Sequence, residues 1–204
     1  MSIFLKTVKI YFINICVIFL IFLFHPSIVM AIEEPKYTSI LSDKPFEIRK
    51  YDGFTVAETD LIGSFDTASR KGFRRVASYI FGGNKNNEGG SEKIQMTAPV
   101  TVIPKKDGWS LHFVMPSNYN LKNLPLPIDE KVVLKKYPEH LAAAVVFSGW
   151  TTESKINDFS NKLMLWLSKK NYEIIGPQQV ARYNDPFTLP WLRRNEIIFM
   201  VRKK

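Results

Sequence analysis

The sequence predicts an α+β domain. Two pseudo-symmetric ββαββ repeats pair about a two-fold axis, and their strands form a distorted antiparallel β-barrel flanked by two helices. Three observations lead there. The stretches 65–81 and 153–171 carry apolar residues at helical spacing. Each is bracketed by pairs of strand-like runs. Positions also recur at a shift of 86 residues: Tyr51 falls on Tyr137, Gly63 on Gly149, Phe73 on Phe159 and Phe113 on Phe199. Two copies are too few for a solenoid, and 204 residues suit one domain of ordinary size.

Residues 1–31 stand apart. Lys6 and Lys9 precede an apolar run at 10–24, interrupted by Asn14, and the stretch ends in Val29-Met30-Ala31. This is the build of a secretory signal peptide cut after Ala31. An uncleaved anchor is the alternative, because the run is nearly long enough to span a bilayer. Either reading exports the domain, to the periplasm or medium or held at the membrane. Cys16 lies inside the run, so the mature domain would have no disulfide, thiolate metal site or cysteine nucleophile. The net charge of +9 falls to +7 without the two lysines, and the basic balance suits anionic partners.

In order, 32–45 reads as a linker, and 46–51 and 54–61 as strands. The first helix has Phe65, Ala68, Ser69, Gly72, Phe73, Val76 and Ile80 on one face, and Gly82-Gly83-Asn84 stops it. A polar loop at 84–91 leads to strands at 94–103 and 109–115, turning at 105–108. Pro99 sits inside the first of these, where proline is expected only at an edge, a strand start or a bulge. The second half repeats the order with strands at 131–137 and 141–147, the second helix, and strands at 179–183 and 196–201.

No Ser-His-Asp ordering, metal-ligand cluster, Walker loop or dinucleotide fingerprint stands out, so an enzyme is not expected. No nucleic-acid module appears either. His112 and His140 read as polar surface histidines. The proline-stiffened apolar loops at 121–127 and 187–192 invite peripheral membrane contact. The preferred reading has Trp191 packed over the barrel end and Arg193 and Arg194 paired with acids.

Three separated segments, EIRKY at 47–51, KIQMTAPV at 93–100 and ARYNDP…LRRNEIIFMV at 181–201, resemble the SOUL, or haem-binding protein, family. The K-x-x-M-T-x-P-V pattern is met by Lys93, Met96, Thr97, Pro99 and Val100. The Y-x-x-P…R-R-N-E pattern is met by Tyr183, Pro186, Arg193, Arg194, Asn195 and Glu196. KIQMTAPV is read as structural, with Pro99 and Pro186 as matching strand interruptions that bend the sheet.

The resemblance implies reversible, non-covalent binding of b-type haem or a related porphyrin by a monomer, for transport or buffering. It places a shallow groove along the first helix, lined by Arg70, Phe73, Arg74 and Ala77. A guanidinium there would meet a propionate and an aromatic ring would lie on the macrocycle. Lys71 and Arg75 form a second basic pair. Some family members have a histidine just before the tyrosine of the first motif, whereas Lys50 stands here. An exposed lysine stays protonated near neutral pH, so an axial bond from it is not expected. The two-repeat architecture also resembles gyrase-inhibitor-like effector-binding domains for amphipathic ligands. A buried carboxylate in the groove would favour cationic ligands, and the sequence reveals none.

Overall fold

The computed structural model describes residues 32–204, which carry all the core clusters described below. The expected signal peptide at 1–31 lies outside the described residues. The strands are β1 (Tyr37–Asp43), β2 (Phe46–Tyr51), β3 (Phe54–Leu61), β4 (Asn84–Lys85), β5 (Val100–Lys105), β6 (Gly108–Val114), β7 (Leu126–Pro127), β8 (Val133–Tyr137), β9 (His140–Phe147), β10 (Tyr172–Ile174), β11 (Gln179–Arg182) and β12 (Asn195–Lys203). Helix α1 (Phe65–Ile80) follows β3 and helix α2 (Glu153–Ser168) follows β9.

All but β4 and β7 join one antiparallel sheet in the order β1-β2-β9-β12-β11-β5-β6-β3-β8, with β10 also paired to β12. Two connections force this sheet to curl. β2 and β3 are separated by five strands, yet only Asp52 and Gly53 link them. In a flat sheet those strands would lie roughly 29 Å apart, while so short a link reaches about 11 Å. Pro138 and Glu139 make the same demand between β9 and β8. The two links cross closely: a Cβ on Gly53 would stand 3.2 Å from the Tyr137 carbonyl oxygen. The result is a strongly curled antiparallel half-barrel with two helices. It stays open, because β1 and β8 are the free ends of the strand order, so the distorted barrel expected is a half-barrel.

Both helices cover one face of the sheet. Val102 belongs to the core under α1 and Val180 to the core under α2. They are cross-strand partners and therefore point the same way. The other face holds Tyr51, Ala142, Ala144, Ala181 and Ile198, buried without a helix above them because the sheet curls over itself.

Several local expectations change. The supposed linker at 32–45 contains β1, which pairs with β2 along its length apart from a bulge at Ile40. The strand expected at 94–103 begins only at Val100. The Ile94 N–H is given to the Ile80 carbonyl at 2.8 Å and the Ala98 N–H to Glu33 at 2.9 Å, so neither enters the ladder with β6. Pro99 thus precedes a strand rather than interrupting one, where its missing N–H costs nothing. Pro186 lies in the β11–β12 loop and interrupts no strand either. Helix α2 ends at Ser168, three residues short of the expected 171, and the chain returns as β10.

Candidate functional site on the exposed side of helix α1

Ser64 caps α1 by accepting the Thr67 N–H at 3.3 Å. Ala68, Ser69, Gly72, Val76, Tyr79 and Ile80 are buried against the sheet. Gly72 sets how closely the helix approaches, since a Cβ there would fall 2.5 Å from Leu61 Cδ1 and 3.0 Å from Leu111 Cβ. That approach brings Phe73 to 5.4 Å from Phe113, ring centre to ring centre. Phe73 is half-buried and packs on the core with one side of its ring.

Arg70 and Arg74 lie one turn apart on the exposed side, and neither has an ion pair among the described residues. Arg75 differs. Its Nη1 donates to Thr59 Oγ1 at 2.9 Å and its Nε lies 3.1 Å from Asp129, so it is a structural tie and not half of a free basic pair. Ala77 is buried, one turn beyond Phe73. The helix therefore offers two accessible guanidinium groups beside a partly exposed ring. Its N-terminal end meets the base of the β11–β12 loop, where the Arg182 guanidinium lies 5.4 Å from the centre of the Phe65 ring.

The positions considered for iron are committed elsewhere. Lys50 Nζ is 3.0 Å from Glu139. His112, expected at the surface, is buried inside the curl, and burial holds its pKa down at about 4. Its Nδ1 has no hydrogen-bond partner, and its ring tilts against Tyr137 at 5.4 Å. His140 opens β9, half-buried and stacked on Tyr51 at 5.4 Å. Its Nδ1 lies 2.9 Å from the Pro138 carbonyl, which can only accept, so Nδ1 carries the proton. Among the described residues, no group of three or more His, Cys, Asp or Glu side chains stands together as a metal site. Arg70 and Arg74 thus place two cations beside the Phe73 ring, and α1 carries no His, Cys or Met, its Tyr79 hydroxyl donating to the Pro125 carbonyl at 2.9 Å.

Sequence reasoning missed the buried carboxylates on the inner face of the curl. Arg49 meets Glu196 in a two-pronged pair, at 2.6 and 3.2 Å. Glu196 also accepts from Arg194 at 2.8 Å and Tyr183 at 2.8 Å. Burial pulls the Arg49 pKa down, but the Glu196 hydrogen bonds and charge prevail and raise it. Across the barrel, Glu58 accepts from Lys135 and, at 3.3 Å, from Tyr137, with Lys105 at 3.7 Å. Burial pushes Glu58 up, and the Lys135 hydrogen bond and charge outweigh it, leaving its pKa lowered. Both carboxylates are neutralised by the protein's own cations. The available signal was a charge set in an apolar strand, as in Asn195-Glu196-Ile197-Ile198-Phe199.

These networks explain the three segments singled out in the sequence. EIRKY supplies Arg49, which also bonds Glu47 at 2.7 Å and Tyr51 at 3.1 Å. In KIQMTAPV, the Thr97 hydroxyl donates to the Val114 carbonyl. In the last segment, Arg194 and Glu196 close the cluster, and Asn195 bonds the Gly149 carbonyl at 2.9 Å.

Comparison with known proteins agrees with that pattern. The model of the SOUL heme-binding protein family matches residues 32–200. Heme-binding protein 1 of Xenopus laevis is 26% identical over 163 residues, covering 76% of this chain and 83% of that protein. Among solved structures, the EcmrR C-terminal domain aligns with a TM-score of 0.59 at 14% identity, over 82% of this chain and 99% of the other. A hydrolase from Listeria innocua aligns at 0.53 and 11% identity, over 80% and 94%. Those two likenesses establish the fold alone. By the family match over nearly all of its described residues, the chain belongs to the SOUL heme-binding protein family.

Proposed function

We propose that the domain holds haem, or a related porphyrin, reversibly against the exposed side of α1, as an exported monomer that transports or buffers the ligand. The observation that carries this is the pair of exposed guanidinium groups, Arg70 and Arg74, without ion-pair partners among the described residues and beside half-buried Phe73. Two cations one helical turn apart suit the two propionates of a macrocycle whose face lies on an aromatic ring. Haem bound this way supplies the iron and its visible absorption, while the helix supplies charge and an apolar floor. Without an axial ligand from α1, binding is of modest specificity, which suits carriage better than redox catalysis.

Supporting the non-enzymatic reading, both buried carboxylates are tied up in internal ion pairs and His112 lies away from solvent. The same pairing argues against a cationic ligand on the inner face. We also read the domain as two repeats. Exchanging β2, β3, β5 and β6 for β8, β9, β11 and β12 turns the strand order from β2 to β8 into its own reverse, with β1 outside the symmetry.

Titrating hemin into the 32–204 domain, followed at the Soret band, tests the proposal beside iron-free protoporphyrin and the Arg70→Ala/Arg74→Ala variant. Both ligands should saturate, each at least about tenfold more weakly in the variant, since even one of the two lost charge-assisted contacts costs about 1.4 kcal/mol. Binding of hemin alone would transfer the site to a protein ligand, with His140 first to be substituted. If neither ligand binds above an unrelated basic protein, the haem reading fails.

A further inference from the structure

The loop between β11 and β12 is unusual in what it exposes. Phe187 is 94% and Trp191 67% exposed, and Leu189 and Leu192 stand out beside them. Trp150, from the β9–α2 connection, adds a fifth large apolar side chain, because the Gly149 N–H donates to the Pro190 carbonyl at 2.8 Å. Trp191 does not pack over the barrel end as expected.

The loop is nevertheless braced from within. Asp185 accepts the N–H groups of Phe187 at 2.7 Å and Thr188 at 3.0 Å. The Leu192 N–H bonds Leu189 and the Arg193 N–H bonds Pro190. Pro186 and Pro190 carry no N–H. Arg193, expected to pair with an acid, donates instead to the Thr188 and Pro186 carbonyls, each at 2.7 Å, while its guanidinium lies 4.2 Å from the centre of the Trp150 ring. The turn is therefore held by its own hydrogen bonds before anything docks, while the Leu189 and Trp191 N–H groups have no partner among the described residues and stay available to water or headgroup oxygens. Such a tip suits the hydrated headgroup boundary rather than the hydrocarbon core.

We propose that residues Phe187, Leu189, Trp191, Leu192 and Trp150 form a docking tip that inserts into the interface of an anionic bilayer. Two features of the tip select lipid over protein. Its residues are those that settle at the headgroup boundary, aromatic rings with aliphatic neighbours. The charge is complementary: without Lys6 and Lys9 the domain carries +7, and Arg193 and Lys155 flank the tip, Lys155 by its 2.6 Å bond to the Ser148 carbonyl. The tip is independent of the α1 site, although the Arg182–Phe65 contact places the base of its loop beside that helix.

The test uses the 32–204 domain, which holds its own core, because the apolar run at 10–24 would partition into lipid by itself. Co-sedimentation is measured with phosphatidylcholine vesicles containing about one third phosphatidylglycerol, and with phosphatidylcholine alone. The mixed vesicles should sediment the domain and blue-shift its tryptophan emission. The Phe187→Ser/Trp191→Ser/Leu192→Ser variant should lose about tenfold or more of that partitioning, with an unchanged melting temperature and hemin titration. The unchanged hemin titration separates this proposal from the haem reading. Failure of the domain to sediment, or equal sedimentation of the variant, overturns the proposal. So does concentration-dependent dimerisation that the variant abolishes without any vesicle binding, which would assign the tip to a second copy.

Discussion

The two carboxylate clusters inside the curl invite comparison because their partners sit at matching places in the sequence. Arg49 and Tyr51 on β2 correspond to Lys135 and Tyr137 on β8, at the shift of 86 residues. Arg49 is 2% exposed and holds Glu196, which is fully buried, with two prongs. Lys135 is 46% exposed and reaches Glu58 with a single ammonium. A guanidinium fork can be taken out of water and still satisfy its donors on carboxylate and phenol oxygens. An ammonium is more strongly hydrated and keeps part of its shell. One side of the barrel is therefore sealed by charge, and the other is left half-solvated around a buried, neutral histidine. The sealed side should matter for stability and the other side for pH response.

The largest effect is expected from unsealing. Arg49→Met keeps the length of the side chain but leaves Glu196 with only Arg194 and Tyr183. Removing one partner of a buried pair costs about 3–5 kcal/mol, read as a lower urea midpoint at constant slope. Arg49→Met with Glu196→Gln should recover part of that loss, since the penalty comes from the stranded charge. A single variant within about 1 kcal/mol of the parent would show that Arg194 alone neutralises Glu196, and the contrast between the clusters would collapse.

The next effect lies on the other side. Burial lowers the His112 pKa from 6.5 to about 4, with attraction from Glu58 opposing the shift and repulsion from Lys135 adding to it. The unfolded chain therefore takes up a proton between these values while the folded one does not. Stability is full above about pH 6.5 and falls as pH drops toward 4, levelling only below both values. At about 1.36 kcal/mol per unit, the loss is on the order of 3 kcal/mol. His112→Phe, which keeps a ring against Tyr137, should flatten urea midpoints across that window. A slope unchanged by the substitution would place the titration elsewhere.

This division also shows what a sequence can and cannot display. The helices and most long strands were legible, because apolar period is local and each element buries one face. The 86-residue shift marked Tyr51 and Tyr137 but not the carboxylates between them, because Glu196 and Glu58 come from strands that are not each other's counterparts. The short pairings β4–β7 and β10–β12 rest on two or three residues, too few for a periodic signal. For the candidate site, Arg70 and Arg74 could be placed by helical spacing, and the structure leaves them exposed. Arg75 was not separable from them, since its partner Asp129 lies far along the chain. His112 looked superficial because it alternates with Leu111 and Phe113, a rule that fails where a sheet curls and buries both faces.

The smallest effect should be the most discriminating. Lys135→Met removes a cation that is nearly half exposed, and Glu58 retains Tyr137 at 3.3 Å and Lys105 at 3.7 Å. At pH 7 the cost is about 1 kcal/mol, in the range of solvated pairs and well below that of Arg49→Met. Its second consequence has the opposite sign. Lys135 is one of the charges holding the His112 pKa down, so its loss raises that pKa toward 6.5 and narrows the window of differential protonation. Midpoints measured from pH 7 to pH 4 should therefore converge on those of the parent, and a gap that stays constant would mean Glu58 and His112 do not share one electrostatic environment. Glu58 itself adds to the convergence at lower pH: its lowered pKa contributes stability that is lost only as pH falls below 4.5, and the variant has less of it to lose. The comparison is cleanest between pH 6.5 and 5, where Glu58 is still ionised in both folded and unfolded chains and His112 takes up its proton in the unfolded chain first.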